Sequence, residues 1–191
     1  QAQFYVASLV VVLEYLHERS IVYRDLKPEN CMLDAQGYLK LADFACAKKL
    51  DAATMRTYTL VGTLYYVAPE MVHGSGYGTS ADIWSLGVLF FEMVTGRLPF
   101  GDDKARDQDV LAAVLDDPIK WPSKYQDFVA RRLIQSMLQR RAGQRIGARG
   151  WDEIKKHRYF HNAGGDDDFF MRVEGRDVQP PIVPMGGEFL P

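Results

Sequence analysis

The stretch Ile83-Trp84-Ser85-Leu86-Gly87-Val88-Leu89-Phe90-Phe91 most limits how this chain can fold. With Met93 and Val94 it makes a helix over residues 80–96 apolar on nearly every side. A surface helix keeps a polar face, so one that is apolar all round has to be buried. Thr79 or Ser80 reads as its N-cap and Gly96 as its C-terminal stop. Residues 3–18 predict an amphipathic helix, with Ala2, Val6, Leu9, Val10, Leu13 and Leu16 recurring at helical spacing. Residues 107–116 and 124–139 predict two more, with Pro118 and Pro122 punctuating the linker, and 151–157 a short last one. Cys31–Leu33 and Tyr38–Leu41 read as two short strands joined by the turn cluster Asp34–Gly37. Gly101 to Arg106 reads as a charged loop. From Asn162 onward Gly, Asp and Pro accumulate and periodicity is lost, which predicts a tail packed as an extended strap. The expectation is a mainly α fold.

At 191 residues and 47% hydrophobic, the chain can bury one well-packed core. A net charge of −2 gives no reason to expect a nucleic-acid or membrane surface. No apolar run reaches the ~18 residues of a membrane span, and no leader segment is visible. Two cysteines, Cys31 and Cys46, cannot form a disulfide framework; they read as reduced, buried thiols.

The chemistry concentrates in Tyr23-Arg24-Asp25-Leu26-Lys27-Pro28-Glu29-Asn30. One short segment presents a carboxylate, a cation two residues on and an amide three further. Phosphoryl transfer depends mainly on positioning and charge neutralisation, and such a set can supply base, cation and metal ligand. Asp43-Phe44-Ala45 follows the predicted strand ending at Leu41-Ala42; then come Ala68-Pro69-Glu70 and Asp82-Ile83-Trp84-Ser85-Leu86-Gly87. Alone, Asp25 or Asp43 would read as a turn residue and Lys27 as a solvated surface charge. Four such motifs in order over some sixty residues are a different matter. The chain resembles the eukaryotic protein kinase family, whose signatures are H-R-D-L-x-x-x-N, D-F-G and A-P-E.

The resemblance implies the C-terminal lobe of the protein-kinase fold, mainly α with short β-hairpins at the catalytic loop, over residues 1–160, and a C-terminal tail over 161–191. No Gly-rich loop, strand lysine or glutamate partner for it is found, so the N-terminal lobe is absent. Gln1 falls inside a helix, and the chain reads as part of a longer polypeptide. ATP and Mg²⁺ are the implied cofactors. Asp25 would orient the acceptor hydroxyl or take its proton, and Lys27 would neutralise the transferring phosphoryl. Asn30 and Asp43 would hold metal, and Glu29 and Met32 would lie at the nucleotide, Met32 under the adenine. Asp82 would accept backbone N–H bonds from the catalytic loop, and Glu70 would pair with Arg145. Tyr23, Arg24 and Phe44 would shape the site.

Tyr23 in place of histidine, the run Thr59-Leu60-Val61-Gly62-Thr63, Gly96-Arg97-Leu98-Pro99-Phe100 and Gln179-Pro180-Pro181-Ile182-Val183-Pro184 resemble the AGC serine/threonine kinases, the cyclic-nucleotide-dependent ones in particular. Lys27 points to Ser/Thr rather than Tyr acceptors. By the same resemblance Thr63 would hydrogen-bond Asp25 and Lys27. Thr59 would be the activation-loop phosphosite, with Arg24 and Lys48 as its cations. Glu29 and Glu92 would recognise arginine upstream of the acceptor. The implied partners are basic Ser/Thr protein substrates and the parent chain's other regions, in cytoplasm or nucleus. Two departures stand out. Ala45 replaces the glycine of D-F-G, where a Cβ would restrict the backbone. Leu64 and Tyr65 replace the Pro-Glu of the G-T-P-E-Y pattern, which bears on substrate selection. A pseudokinase lobe that docks partners and a truncated product without activity remain as alternatives.

Overall fold

Residues Ala2–Glu18 form helix α1, which buries Phe4, Val6, Leu9, Val10, Leu13 and Leu16. Strand β1 (Ile21–Val22) follows, then a 3₁₀ turn at Pro28–Asn30 and a hairpin of β2 (Cys31–Leu33) and β3 (Leu39–Leu41). The hairpin register is Cys31↔Leu41, Met32↔Lys40 and Leu33↔Leu39. Tyr38 belongs to its turn rather than to the strand, because the Asp34 carboxylate accepts the Tyr38 N–H at 2.9 Å. Strand β4 (Lys48–Lys49) returns antiparallel to β1, pairing Ile21↔Lys49 and Val22↔Lys48. This pair was not predicted, since two residues carry no readable alternation. It ties the segments on either side of the hairpin to one base. The computed structural model describes residues 1–101, 105–161 and 168–184.

The remaining elements are α2 (Pro69–Val72), α3 (Ser80–Thr95), α4 (Asp107–Asp116), α5 (Phe128–Met137), α6 (Asp152–Lys155), α7 (Arg158–His161) and α8 (Phe169–Glu174). Every residue of α3 from Ala81 to Phe91 is buried, as its all-round apolar sequence predicts. Helices α1 and α5 pack against it. Trp84 stacks on Phe100 with ring centres 5.5 Å apart, and Phe91 meets Trp121 edge-on at 4.8 Å. Gly96 ends α3 in the left-handed region at φ +67°, donating its N–H to Glu92 O at 2.8 Å. Gly87 lets α5 approach: a Cβ there would lie 2.8 Å from Met137 Cβ. Gly87→Val is expected to lower stability by roughly 1–3 kcal/mol through overpacking, read as a shift of the urea midpoint.

Several expectations need correction. No hydroxyl caps α3, because Thr79 already has helical angles, φ −62° and ψ −23°, whereas a capping side chain projects from an extended residue. The helix expected over 124–139 begins only at Phe128, after Asp127, whose carboxylate accepts Val129 and Ala130 N–H at 3.0 and 2.9 Å. The one expected over 151–157 is shorter, α6 alone, and α7 is a separate helix beyond that range. The tail is not wholly extended. Helix α8 packs against α1 and buries Val173, with Phe170 edge-on to Phe160 at 4.8 Å. Beyond it the chain does strap across the hairpin turn. Tyr38 donates to Arg176 O at 2.7 Å, and Ile182 O lies where a Cβ of Gly37 (φ +91°) would be. The expectations for 102–104, 162–167 and 185–191 fall outside the described residues. Among the described residues no helix is long and apolar enough to cross a membrane.

Candidate active site

Asp82 shapes the loop that carries Asp25, Lys27 and Asn30. It sits in the first turn of α3 with no exposed surface. Its Oδ2 accepts Tyr23 N–H and its Oδ1 accepts Arg24 N–H, both at 2.8 Å. These bonds hold Arg24 at φ +73°, a conformation few non-glycine residues adopt. His17 Nε2 lies 2.8 Å from Asp82 Oδ2 and packs against Trp151. A buried carboxylate left without partners is costly; this one has three. His17 was missed as a site residue. The available signal was a polar side chain four residues after Leu13, on the apolar face of α1.

The loop so held gathers four groups. Asp25 is 8% exposed. Its Oδ1 accepts the Thr63 N–H and hydroxyl, both at 3.1 Å. Its Oδ2 accepts the Asn30 amide at 3.1 Å and lies 3.1 Å from Lys27 Nζ. Lys27 Nζ also donates to the Thr63 hydroxyl at 3.0 Å. Bonding to Asp25 raises the Lys27 pKa above its ordinary value, so the side chain stays an ammonium. The second Asn30 amide bond, to Asp25 O at 2.8 Å, fixes which way that side chain faces. Gly62 permits this approach at φ +97°, since a Cβ there would meet Arg24 O at 2.3 Å.

Asp43 is joined to the cluster through the backbone: Ala42 N donates to Asn30 O at 2.9 Å. The Tyr23 hydroxyl donates to Ala42 O, and Phe44 meets the Tyr23 ring edge-on at 5.3 Å. Burial, reinforced by the Asp25 charge, pushes the Tyr23 phenol up, so it remains a donor. Asp43 is exposed, with φ +50°, and its Oδ1 accepts Ala45 N–H at 3.1 Å. Positive φ among the described non-glycine residues occurs at Ser20, Arg24, Asp43, Met55 and Arg176, not at Ala45. Ala45 therefore carries no left-handed strain here. The Asn30 carbonyl and the Asp43 carboxylate are hard oxygen donors, the set that Mg²⁺ takes along with water and phosphate oxygens. Among the described residues no group of three or more His, Cys, Asp or Glu gathers as a metal cage.

The hairpin alternates its side chains. Met32 is 48% exposed, while Cys31 and Leu33 line a pocket of 350 Å³ with Tyr5, Leu89 and Glu92. Glu92 accepts the Tyr66 hydroxyl at 2.5 Å, and Glu29 is exposed. Both cysteines are half-buried and unpaired rather than fully buried. Burial pushes the Cys31 thiol up to about 12. Its alkylation by iodoacetamide is therefore expected to quicken about tenfold per pH unit, from about pH 7 through about pH 10, as the thiolate fraction grows. Peptide mass spectrometry reads this; a plateau below pH 9 would contradict it.

Arg24 links the loop to the segment before Ala68. Its Nε donates to Cys46 O at 2.5 Å and its Nη1 to the Tyr77 hydroxyl at 3.3 Å, which in turn donates to Thr59 O at 2.5 Å. Tyr77 was not singled out in the sequence. Thr59 is exposed, and Lys48 Nζ donates to the Thr57 hydroxyl at 3.2 Å rather than to Thr59. Leu64, Tyr65 and Tyr66 form a 3₁₀ turn beside α4. Behind it Glu70 and Arg145 make two parallel ion-pair bonds of 2.7 and 2.9 Å, with the arginine side chain fully enclosed.

Comparison with known proteins identifies the family. The protein kinase domain family matches residues 1–160. A cGMP-dependent protein kinase of Eimeria tenella is 46% identical over 188 residues, 97% of this chain and 18% of that protein. One of Plasmodium berghei is 45% identical over 185 residues, covering 96% of this chain and 21% of the relative. The cAMP-dependent protein kinase catalytic subunit PRKX of Mus musculus is 42% identical over 185 residues, 95% of this chain and 48% of its own length. The chain thus spans less than half of each of these relatives, and it belongs to the protein kinase family, in its AGC-type serine/threonine branch.

Proposed function

We propose that this chain is the C-terminal lobe and tail of an ATP- and Mg²⁺-dependent kinase that phosphorylates serine or threonine in proteins. The observation that carries the reading is the contact of Asp25 with Lys27, Asn30 and Thr63 within 3.1 Å. In this reading the acceptor hydroxyl would meet the Asp25 carboxylate, which would orient it and take its proton as the oxygen bonds to the γ-phosphorus and the bond from that phosphorus to the bridging oxygen breaks, ADP leaving. Lys27, held charged by Asp25, lies beside the transferring group. Thr63 accepts from Lys27 and donates to Asp25, so one hydroxyl sets the distance between base and cation. Asn30 and Asp43 would hold Mg²⁺, which when bound neutralises the phosphate charge. Thr59, exposed beside the Arg24–Tyr77 link, would take the activating phosphate, and Glu29 and Glu92 would favour basic substrates.

The alternative, a lobe that only docks partners, rests on Ala45. The absence of positive φ at that residue favours the catalytic reading. The test uses the full-length parent with labelled ATP, Mg²⁺ and a basic serine peptide, and Ala45→Gly in parallel. Transfer by both forms at rates within about threefold is expected, because glycine relieves no backbone strain here. Transfer only by the Ala45→Gly form would instead identify a kinase silenced at one position.

A further inference from the structure

One surface cleft shares no residue with the site above. It measures 550 Å³ and lies between the segment after α4, helix α5 and the residues that follow α5. Arg131, Arg140 and Arg141 line it together with Ile119, Trp121 and Leu138, and among the described residues no carboxylate does. Two of the arginines are held in place. Arg140 donates to Val114 O at 3.0 Å, to Ala113 O at 3.4 Å and to Asp117 O. These carbonyls end α4, where the helix dipole favours a cation. The Arg131 guanidinium lies 4.9 Å from the centre of the Trp121 ring. A guanidinium laid over an indole keeps its in-plane N–H groups free to donate. Arg141 is exposed and, among the described residues, bonds to no carboxylate. Three like charges with no carboxylate beside them among the described residues repel one another, on a chain whose net charge is −2. A bound anion would relieve that repulsion.

We propose that this cleft docks an acidic peptide segment of a partner protein. Its carboxylates would pair with Arg131 and Arg141, and a neighbouring apolar side chain would rest on Ile119 and Trp121. The apolar wall argues against a free inorganic anion, which could not use it. Overall acidity argues against nucleic acid, which demands a broad basic surface.

The experiment measures anisotropy of a fluorescein-labelled peptide, Gly-Glu-Leu-Glu-Glu-Gly, titrated with the full chain. Saturable binding that weakens with added salt is expected, and none for the same peptide with Gln in place of Glu. Arg141→Glu, at an exposed position and with unchanged thermal unfolding, should weaken binding roughly tenfold or more, the loss of one charge-assisted hydrogen bond. Arg97→Glu, exposed and outside the cleft, should leave it unchanged. No saturable binding, or equal binding by Arg141→Glu, would overturn the proposal. So would Arg141-dependent binding of phosphatidylserine vesicles or single-stranded RNA in place of the peptide. Because the readout is binding rather than phosphate transfer, it stands apart from the kinase reading.

Discussion

Replacing Asp25 with Asn in the full-length kinase is expected to lower phosphate transfer by roughly 10²–10⁴-fold, the range for loss of a positioned general base. Asn has nearly the same shape, and its amide oxygen can still accept the Thr63 N–H. At the other oxygen position, however, an NH₂ group would face Lys27 Nζ and the Asn30 amide, both donors now within 3.1 Å of Asp25 Oδ2. Lys27 would then lose the anion that keeps its pKa raised. In the proposed reading the variant removes the proton acceptor and loosens the cation together. Transfer of label from ATP to peptide measures the effect, with thermal unfolding measured alongside to show that the fold is intact. A folded variant that keeps more than about a tenth of the activity would sink the assignment of Asp25 as base.

Arg145→Ala should unfold much of the protein. The arginine side chain has no exposure and that of Glu70 only 12%. Removing one partner of a buried pair leaves an uncompensated charge and costs about 3–5 kcal/mol. Arg145 also donates to Ser80 O at 2.6 Å and Gln139 O at 3.1 Å, and its guanidinium lies 5.3 Å from the Trp84 ring centre. Domain stabilities are only about 5–15 kcal/mol, so a large fall in urea midpoint is expected. Removing both charges, as Arg145→Met with Glu70→Leu, should recover part of the loss, because no orphan ion then remains. An unchanged midpoint for Arg145→Ala would mean that the pair is not enclosed as described.

The parts of this site legible in the sequence are those whose chemistry needs close spacing. Asp25, Lys27 and Asn30 lie within six residues, and a periodic apolar pattern is enough to bury α3. Groups brought together from far apart were legible only through likeness to a family. The Asp82 bond to the Tyr23 amide and the Glu70–Arg145 pair span 59 and 75 residues. His17 and Tyr77 escaped both routes, since neither stands in a short motif and their partners are 65 and 53 residues distant. Helix α8 escaped because six residues flanked by Gly and Asp give too little periodicity to read. The Thr79 cap failed for a different reason. Residue type favours capping there, but the backbone had already turned helical one residue early.

The bonds from Asp82 to the Tyr23 and Arg24 amides also order events in time. Each closes a loop of nearly sixty residues, and such closure is entropically unfavourable until packing rewards it. The segment around Asp25 is therefore expected to take its final shape with, rather than before, the docking of α3 against α1. Deuterium uptake should show it: these two amides, although they lie in a loop, should exchange as slowly as the core of α3, through global rather than local opening.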